Sequence, residues 1–345
     1  MKFYLAPLEG VTGFIFRNTL EKYFPGTDRY FTPFIVPNQK RVLRTKEERD
    51  VLPGNNHVKS LIPQILTNDA EQFKDAVRAL REYGYEEVNL NLGCPSGTVV
   101  SHGKGAGFLA FPEKLDRFLD RIFQENDVKI SVKTRIGIED PAEAYGLMEI
   151  YNKYPLSELI IHPRTRQEYY RGTPHLDIFG ELLERSRVPV CYNGNLLTVE
   201  DYERLRRRFP KVEAVMLGRG VIANPGLIQE LAHLEAEGVQ GADQQEYGRS
   251  KTATEKAEKK ENMHRFHDEI FEQYREVFRD DKNAMLHMKE VWAYMIHSFV
   301  DAEKYIKRIR KSKSAPEYRM EVDRLFQECE LCTGSPLRWA LPQKQ

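Results

Sequence analysis

The sequence predicts an α/β protein in which a (β/α)8 TIM barrel is followed by a C-terminal helical-bundle domain. Over residues 1–235, short runs rich in β-branched and aromatic residues alternate with helical patterns. Such alternation is typical of parallel strands joined by right-handed crossovers. Eight strand–helix units in this length match the roughly 250 residues of a (β/α)8 barrel. A doubly wound open sheet is the alternative, but no G-x-G-x-x-G motif follows the first predicted strand.

Each barrel element has a local signal in the sequence. The predicted strands are 2–6, 30–34, 61–65, 87–91, 128–133, 158–162, 189–193 and 213–217. Helices are predicted between most of them, because amphipathic stretches follow capping residues or proline. Examples are 69–83 with Asp69 as N-cap, 112–125 with Pro112 in its first turn, and 198–208 with Thr198 as N-cap.

The chain changes character after the predicted barrel. In 236–261 aromatic residues nearly vanish while Gly, Gln, Lys and Glu dominate, which predicts a charged linker or loop. From residue 262 apolar residues recur at spacings of three and four, which predicts helices at 263–279, 284–299, 302–313 and 316–330. We therefore expect a catalytic barrel at 1–235, a linker at 236–261 and a helical domain at 262–345.

Composition limits the class of protein. The 345 residues include 52 basic and 52 acidic side chains, so an RNA or DNA partner would have to meet a local basic patch. No apolar run approaches the ~18 residues of a membrane helix, and the first ten residues lack the apolar stretch of a secretory signal. Four cysteines exclude a disulfide scaffold. We expect a cytoplasmic protein. We also expect no metal site, because Cys329 and Cys332 form only half of a four-cysteine zinc site.

Residues at the carboxyl ends of the predicted strands are candidates for a site, because these ends carry the active site of a barrel. The loops after strands 7 and 8 commonly bind phosphate, and there the sequence places Asn193, Gly194, Asn195, Gly218 and Arg219. Glycine lets the backbone approach a phosphate, and arginine offers a planar fork to its oxygens.

Other strand-end side chains suit a cofactor or a base. Lys133 is either a partner for an anion or an imine-forming nucleophile. His162 orients a cofactor ring or acts as an acid. Gln64 and Asn91 carry the paired donors and acceptors that read a uracil-like or flavin-like edge. Cys94 lies in the glycine-rich segment 93–107, which we predict to be a mobile loop that brings the thiol to a substrate as proton donor or nucleophile.

Six blocks of sequence carry a specific resemblance. In order they are LAPLEGVTGFIFRN, NLNLGCPSGTVVSHGKGAGFL, SVKTRIG, IIHPRTRQEYYRG, YNGNL and VMLGRGVIANP. Together they resemble the tRNA-dihydrouridine synthase family, over roughly residues 1–325. The resemblance implies an FMN-binding barrel followed by a helical domain that holds tRNA. It also implies the reduction of a specific uridine to 5,6-dihydrouridine with NADPH.

The resemblance also implies roles for individual residues. Hydride would pass from reduced FMN to C6 of the uracil, and Cys94 would give a proton to C5. Asn91 would touch the uracil. The implied flavin-ring contacts are Pro7, Leu8, Glu9, Gln64, Lys133 and His162, and the implied ribityl and phosphate contacts are Asn193, Gly194, Asn195, Gly218 and Arg219. The family commonly has Met at position 8 and an acidic residue at position 195; Leu8 conserves volume, whereas Asn195 loses a charge.

Positive charge is concentrated locally. Segment 304–313 holds six basic and no acidic residues, and we expect Lys307, Arg308 and Arg310 there, with Arg164 and Arg166 after strand 6, to bind RNA phosphates. The expected partner is tRNA, with ribosomal RNA as an alternative, and we expect a monomer.

Three other functions stay open at this point. The first is an FMN barrel acting on a free small molecule, of the dihydroorotate-oxidising or enoate-reducing type. The second is a lysine-imine aldolase, and the third is an RNA-binding module without catalysis.

Overall fold

The computed structural model describes residues 1–38, 41–124, 127–237 and 253–332. This part of the chain divides into two compact units, and each unit draws on separate stretches of sequence. The first contains Met1–Glu9, Asp28–Asn195 and Arg206–Leu217. The second contains Gly10–Thr27, Leu196–Leu205 and the described chain from Gly218 onward. The division is therefore discontinuous in sequence, whereas the predicted domains are continuous, and the boundaries at 235 and 262 remain a prediction.

The first unit is a parallel barrel, which confirms the predicted fold class. Its strands are β1 (Lys2–Leu5), β2 (Arg29–Phe31), β3 (Leu61–Ile62), β4 (Gln64–Ile65), β5 (Glu87–Leu92), β6 (Lys129–Arg135), β7 (Leu159–His162), β8 (Val190–Tyr192) and β9 (Ala214–Leu217). They form one sheet in the order β3-β2-β1-β9-β8-β7-β6-β5-β4. Each predicted strand matches one of these elements, except that the third is divided in two.

Pro63 divides the third predicted strand. Leu61 and Ile62 pair with β2, whereas Gln64 and Ile65 pair with β5. Proline has no N–H to donate to a strand ladder, so a change of partner at this residue loses no hydrogen bond. The one segment 61–65 thus joins the two edges of the sheet and brings the ring close to closure.

Helices follow most strands of the first unit. They are α2 (Thr45–Val51), α3 (Ala70–Glu82), α4 (Gly97–Val100), α5 (Pro112–Phe123), α6 (Glu143–Tyr151) and α7 (Leu176–Arg185), and α8 (Val199–Arg208) crosses from the second unit into the first. The helix that begins after Asp69 has this carboxylate as its N-cap, accepting from the backbone N–H of Glu71 and Gln72. Thr198 Oγ1 accepts from the N–H of Asp201. Both predicted caps are confirmed.

The barrel interior is filled from alternate residues of each strand, because side chains along a strand alternate between its two faces. One buried apolar cluster lies inside, consisting of Tyr4, Ala6, Phe31, Ile62, Ile160, Cys191, Ala214 and Met216. The burial of Cys191 agrees with its mid-strand position. Outside the barrel, Phe118 of α5 packs edge-on against Phe73 of α3.

The second unit is helical. It contains α1 (Phe14–Tyr23), α9 (Arg219–Ala223), α10 (Leu227–Glu237), α11 (Ala253–Phe278), α12 (Asp281–Met295), α13 (Glu303–Lys311) and α14 (Ala315–Glu328). Short 3-10 turns occupy Pro53–Asn55 and Gly105–Ala110 in the first unit and Ile296–Ser298 in the second. None of the helices in the described ranges is long and apolar enough to span a membrane.

Helix α11 begins earlier than the sequence predicted. Residues 253–261 are helical, and helix α10 includes 236 and 237, so both of these parts of the predicted linker are wrong. Residues 238–252 lie outside the described residues. The charged stretch continues the helix because Lys, Glu and Ala are good helix formers even without an apolar face. Further along α11, Phe266 packs edge-on against Phe16 and Phe24. The buried Trp292 Nε1 donates to Tyr318 Oη at 2.8 Å, which ties α12 to α14.

Candidate active site

Strand register brings the polar interior residues of β4, β5 and β6 into rows. Gln64 pairs with Asn89, and Asn89 pairs with Ser131. One row further along the strands, Asn91 pairs with Lys133. These side chains share the interior face, because each is an even number of residues from the next on its own strand. The sequence predicted which residues end the strands, and the register shows which of them are neighbours.

Asn91 holds the turn that carries Cys94. Its side-chain Oδ1 accepts from the backbone N–H of Gly93 at 3.0 Å and of Cys94 at 2.9 Å. Its Nδ2 donates to Gln64 Oε1 at 2.7 Å. Because Asn91 is almost fully buried, these contacts are shielded from water and fix both ends of its amide.

The hydrogen bonds continue from Gln64 across the barrel wall. Gln64 Nε2 donates to Asn89 Oδ1 at 2.7 Å, and Asn89 Nδ2 donates to Ser131 Oγ at 2.9 Å. The Ser131 hydroxyl donates to the carbonyl of Val88 at 3.3 Å. Gln64, Asn89 and Ser131 have no exposed surface, so this is a fully buried polar row whose members satisfy one another.

The Cys94 thiol is partly exposed at the end of β5. Burial raises its pKa, a backbone hydrogen bond at Ser96 opposes the rise, and the charges of Arg135 and Lys133 oppose it further. The net effect is upward, so the thiol carries its proton at neutral pH. This is the state that a proton donor needs.

The segment 93–107 is held by many contacts. Ala106 N donates to Cys94 O at 3.0 Å, and the Asn68 side chain donates to the carbonyls of His102 and Gly103. Gly105 has φ +56° and a Cβ there would lie 2.9 Å from Cys94 O, so glycine is required for close packing. The glycines therefore have a packing reason, and these contacts do not support the predicted mobile loop.

Lys133 extends from β6 into the interior. No described residue forms a hydrogen bond or an ion pair with its ammonium group. Burial, and secondly the like charge of Arg135, lower the pKa of Lys133 to about 8. A positive group without a counter-ion in a partly buried position is suited to meeting an anionic ligand.

Arg135 lies just beyond the predicted end of the fifth strand, and no role for it was predicted from the sequence. Strand β6 runs two residues beyond its predicted end, so Arg135 continues the interior series of Ser131 and Lys133. Its buried guanidinium donates to the carbonyls of Gly93, Thr165 and Tyr169, and it lies 5.3 Å from the Tyr170 ring centroid. It ties the loop after β5 to the loop after β7. The period-two spacing 131, 133, 135 is the signal that identifies it.

Arg164 and His162 form a second buried group after β7. Arg164 Nη1 donates to His162 Nε2 at 3.1 Å, and its other nitrogens donate to the carbonyls of Arg171 and Gly172. A guanidinium has no acceptor, so Nε2 accepts and the proton of the neutral ring lies on Nδ1. Arg164 has no exposed surface. The predicted RNA contact of Arg164 is therefore corrected: the side chain holds the loop and is shielded from an RNA phosphate.

Arg166 is partly exposed, unlike Arg164. Its guanidinium lies 5.3 Å from the ring centroid of Tyr169 and donates to the hydroxyl of that ring at 3.2 Å. The rings of Tyr169 and Tyr170 are both exposed. Arg166 thus remains a candidate for contact with RNA.

The residues after β1 reach both the interior and the solvent. Leu8 packs against the interior apolar cluster, and Pro7 is half-buried. Glu9 is exposed and forms an ion pair with Lys46 at 2.5 Å. Leu8 thus lines the barrel interior, whereas Glu9 makes a solvent-screened surface pair.

The loop after β8 approaches its own strand closely. Asn193 Nδ2 donates to the carbonyl of Met216 at 2.8 Å. A Cβ at Gly194 would lie 2.1 Å from Tyr192 Oη, so no other residue fits without a shift of that ring. Asn195 Oδ1 accepts from Arg164 Nη1 at 3.3 Å. Glycine at position 194 is therefore explained by the Tyr192 ring, which fills the space that a side chain would need.

Gly218 and Arg219 belong to the second unit, where Gly218 is the N-cap of α9 and Arg219 is partly exposed.

Helix α13 of the second unit carries the predicted basic face. Lys307 and Arg310 are exposed and form no ion pair with a described residue, whereas Arg308 lies 3.7 Å from Glu321 of α14. Arg310 also lines a groove of ≈ 460 Å³ with Lys282, Lys289, Lys311 and Lys313. In the described ranges no three His, Cys, Asp or Glu side chains gather as a metal site would require.

The chain is similar to known proteins along most of its length. The family model described as dihydrouridine synthase (Dus) matches residues 4–326. The tRNA-dihydrouridine(16) synthase of Ralstonia nicotianae is 32% identical over 230 residues, which are 65% of this chain and 70% of that protein. The enzyme of the same name from Neisseria meningitidis serogroup B is 25% identical over 328 residues, 91% of this chain and 92% of that one. Among solved structures, morphinone reductase has a TM-score of 0.49 at 13% identity over 67% of this chain and 85% of its own, a likeness too loose to inform function.

Proposed function

This chain belongs to the dihydrouridine synthase family, and on that premise we propose that it reduces a uridine of tRNA to 5,6-dihydrouridine, using bound FMN and NADPH as the reductant. The observation that carries the proposal is a protonated Cys94 in the loop after β5 together with Lys133 on the neighbouring strand β6, whose ammonium group has no partner among the described residues. Such a pair offers a proton donor beside a positive charge, which the saturation of a C=C bond next to a carbonyl requires.

The residues present fit a flavin. The Lys133 ammonium group has no counter-ion among the described residues and lies beside the buried amides of the neighbouring strand. The proposed ring contacts are Pro7, Leu8, Glu9, Gln64, Lys133 and His162; the proposed ribityl and phosphate contacts are Asn193, Gly194, Asn195, Gly218 and Arg219. When bound, the flavin supplies the hydride for C6 of the uracil.

The chain's own groups have defined tasks in this proposal. Lys133 places positive charge against the anionic edge of the cofactor. Cys94 transfers its proton to C5 on the face opposite the hydride. Asn91 orients the uracil and holds the Cys94 turn. The target base has to leave the RNA stack to reach these groups, because they lie at strand ends inside a barrel.

RNA binding is proposed for the exposed cations. Lys307 and Arg310 are free of ion pairs with described residues and are the strongest candidates on α13, with Arg166 in the first unit. Arg308 is a weaker candidate because Glu321 partly neutralises it. This order differs from the sequence-based prediction, which treated the three α13 residues as equivalent.

Two measurements test the catalytic proposal. The flavin released by denaturing the purified protein is expected to co-elute with FMN on a column. The holoenzyme, with NADPH and an unmodified tRNA transcript, is expected to increase the mass of one uridine by two hydrogens. Turnover of a free small molecule with no change in RNA would reject the proposal in favour of a small-molecule reductase.

A matched set of variants tests the RNA surface. Lys307→Ala and Arg310→Ala are each expected to weaken tRNA binding and to reduce the slope of log K against log salt by about one phosphate contact. Arg308→Ala, the control on the same helix, is expected to change the slope less. Flavin content should be equal in all three. Equal effects of the three variants would show that pairing with α14 does not decide which cations bind RNA.

A further inference from the structure

The buried row of hydrogen bonds between β4, β5 and β6 ends at backbone groups on both sides, and these groups determine its direction. At one end the backbone N–H groups of Gly93 and Cys94 can only donate. At the other end the carbonyl of Val88 can only accept. Every side chain between them must therefore accept on the side of Cys94 and donate on the side of Val88. A reversed amide anywhere in the row would set two donors or two acceptors against each other.

Asn89 occupies the middle of this row without reaching the site itself. Its Oδ1 accepts from Gln64 and its Nδ2 donates to Ser131, and it has no exposed surface. Asn89 lies two residues before Asn91 on β5 and pairs with Ser131, so it is deeper in the barrel than the pair of Asn91 and Lys133. Its amide nevertheless fixes one end of Gln64, since Gln64 Nε2 donates to Asn89 while Gln64 Oε1 accepts from Asn91.

We propose that Asn89 is a positioning residue for Cys94, acting through the amide orientations of Gln64 and Asn91. If Asn89 is removed, Gln64 Nε2 loses its acceptor, and only the bond from Asn91 Nδ2 still holds the Gln64 amide. A Gln64 amide that turns away breaks this bond, and an Asn91 amide that reverses with it cannot accept from the N–H of Cys94. The turn that holds the thiol is loosened in either case. Ser131 supports the same orientation from the far end of the row.

A consequence is that the hydrogen-bonding capacity left on Asn91 is one N–H donor. Its Oδ1 already accepts from two backbone N–H groups, and its Nδ2 has one proton left after the bond to Gln64. Asn91 keeps a little exposed surface, so it presents this donor to a ligand carbonyl, whereas Gln64 is fully buried. Through Gln64, Asn89 thereby supports the polarity of the group that faces a bound molecule as well as the position of the thiol.

The test reads Cys94 directly. Asn89→Leu keeps the branched shape of the side chain, although it is larger than Asn, and removes both of its hydrogen bonds. Alkylation of Cys94 by iodoacetamide is expected to be several-fold faster than in the wild type, because the loosened turn exposes the thiol. Mass spectrometry of the peptides separates Cys94 from Cys332, which is also partly exposed. In an Asn91→Ala background, Asn89→Leu is expected to cause no further change, because the row is already broken between Asn89 and Cys94.

Two further variants separate positioning from general loss of structure. Thr134→Val on β6, the strand of Ser131, removes a buried hydroxyl that bonds Tyr151, outside the row, and is expected to leave the alkylation rate unchanged. Ser131→Ala removes the far end of the row and is expected to give a smaller acceleration of the same sign. It keeps the test available if Asn89→Leu does not fold.

An alkylation rate in Asn89→Leu equal to that of the wild type would overturn the proposal, as would independent, multiplying effects of Asn89→Leu and Asn91→Ala. The effect on catalysis rests on the proposed function, and the RNA-dependent reaction is expected to be about 10- to 100-fold slower. A changed alkylation rate in a protein that does not modify RNA would support the positioning role and reject the proposed function.

Discussion

The two sides of the barrel interior are built from different side chains on the same strand geometry. On β1, β2, β3, β7, β8 and β9 the inward residues include an apolar cluster with Tyr4, Phe31 and Met216. On β4, β5 and β6 they are amides, a hydroxyl and two cations. The change occurs within one segment, since Ile62 belongs to the apolar side and Gln64 to the polar side. Burial of the apolar side chains stabilises the fold. Burial of the polar and charged side chains on the other side, which include the proposed functional groups, lowers the stability of the fold.

The largest expected effect comes from the thiol on the polar side. Cys94→Ala removes the proposed proton donor, so the RNA-dependent step should slow by ~10²–10⁴. Cys94→Ser is also expected to be slow, because a hydroxyl is a far weaker acid than a thiol. Stopped-flow absorbance of the flavin, first with NADPH and then with unmodified transcript, separates the two half-reactions. Normal reduction by NADPH is the internal control, and near-normal reoxidation by RNA in Cys94→Ala would assign the proton to another group.

Lys133 tests whether function on the polar side lowers stability. The pKa of this side chain falls from 10.5 to about 8, so the unfolded chain binds a proton that the folded chain releases between these values. Stability therefore rises with pH from 8 to 10.5, and the charge destabilises the flavin-free protein at pH 7 by about 3 kcal/mol at most. Lys133→Met should be more stable than the wild type at pH 7, with the difference shrinking above pH 8, and should bind flavin poorly.

Thermal unfolding of the flavin-free proteins at pH 7 and pH 9.5 checks this expectation. Lys129→Met is the matched control, because Lys129 starts the same strand but is exposed. A loss of stability at pH 7 in Lys133→Met would mean that the stem of the lysine contributes more by packing than its charge costs.

Glu158 lies at the amino-terminal end of the strands, opposite the candidate site, and tests how burial of a carboxyl group there affects stability. Its carboxyl accepts from Tyr4 Oη at 2.9 Å and lies 4.0 Å from Arg29, and burial raises the pKa of Glu158 to about 7. The folded state therefore holds a proton that the unfolded state loses above pH 4.5, so stability falls as pH rises from 4.5 to 7. Glu158→Gln should remove this slope and gain about 2–3 kcal/mol at pH 8. Urea unfolding at pH 5 and pH 8 measures it, and identical pH profiles of the two proteins would contradict it.

Cys191 gives the smallest effect and the sharpest contrast with Cys94. It is fully buried in the apolar cluster, so Cys191→Ala should lose about 1 kcal/mol of stability through the cavity that it leaves. The rates of both half-reactions should remain those of the wild type. A slower RNA-dependent step in Cys191→Ala would show that the apolar side also positions the catalytic groups.

Much of the fold was predictable because its signals are local. The strands follow from short β-rich runs, and the caps at Asp69 and Thr198 follow from single polar residues before amphipathic stretches. The start of α11 was missed because a solvent-exposed helix of charged residues has no apolar period to detect. The division of the third strand at Pro63 was missed because strand pairing involves partners on two different sides of the ring.

The sequence by itself determined the alternation of strands and helices, the residues that end each strand, and the six motifs that place the chain in its family. Only the tertiary structure decided how those residues act. Gln64 and Asn89 are 25 positions apart, and Asn89 and Ser131 are 42 apart, so strand register alone brings their amides and hydroxyl together. Arg164 and Arg166 look alike in sequence, and burial makes one a scaffold and leaves the other partly in solvent. Hydrogen-bond direction, desolvation and ion pairing depend on neighbours that are remote in the chain. For this physical reason they are determined only by the tertiary structure.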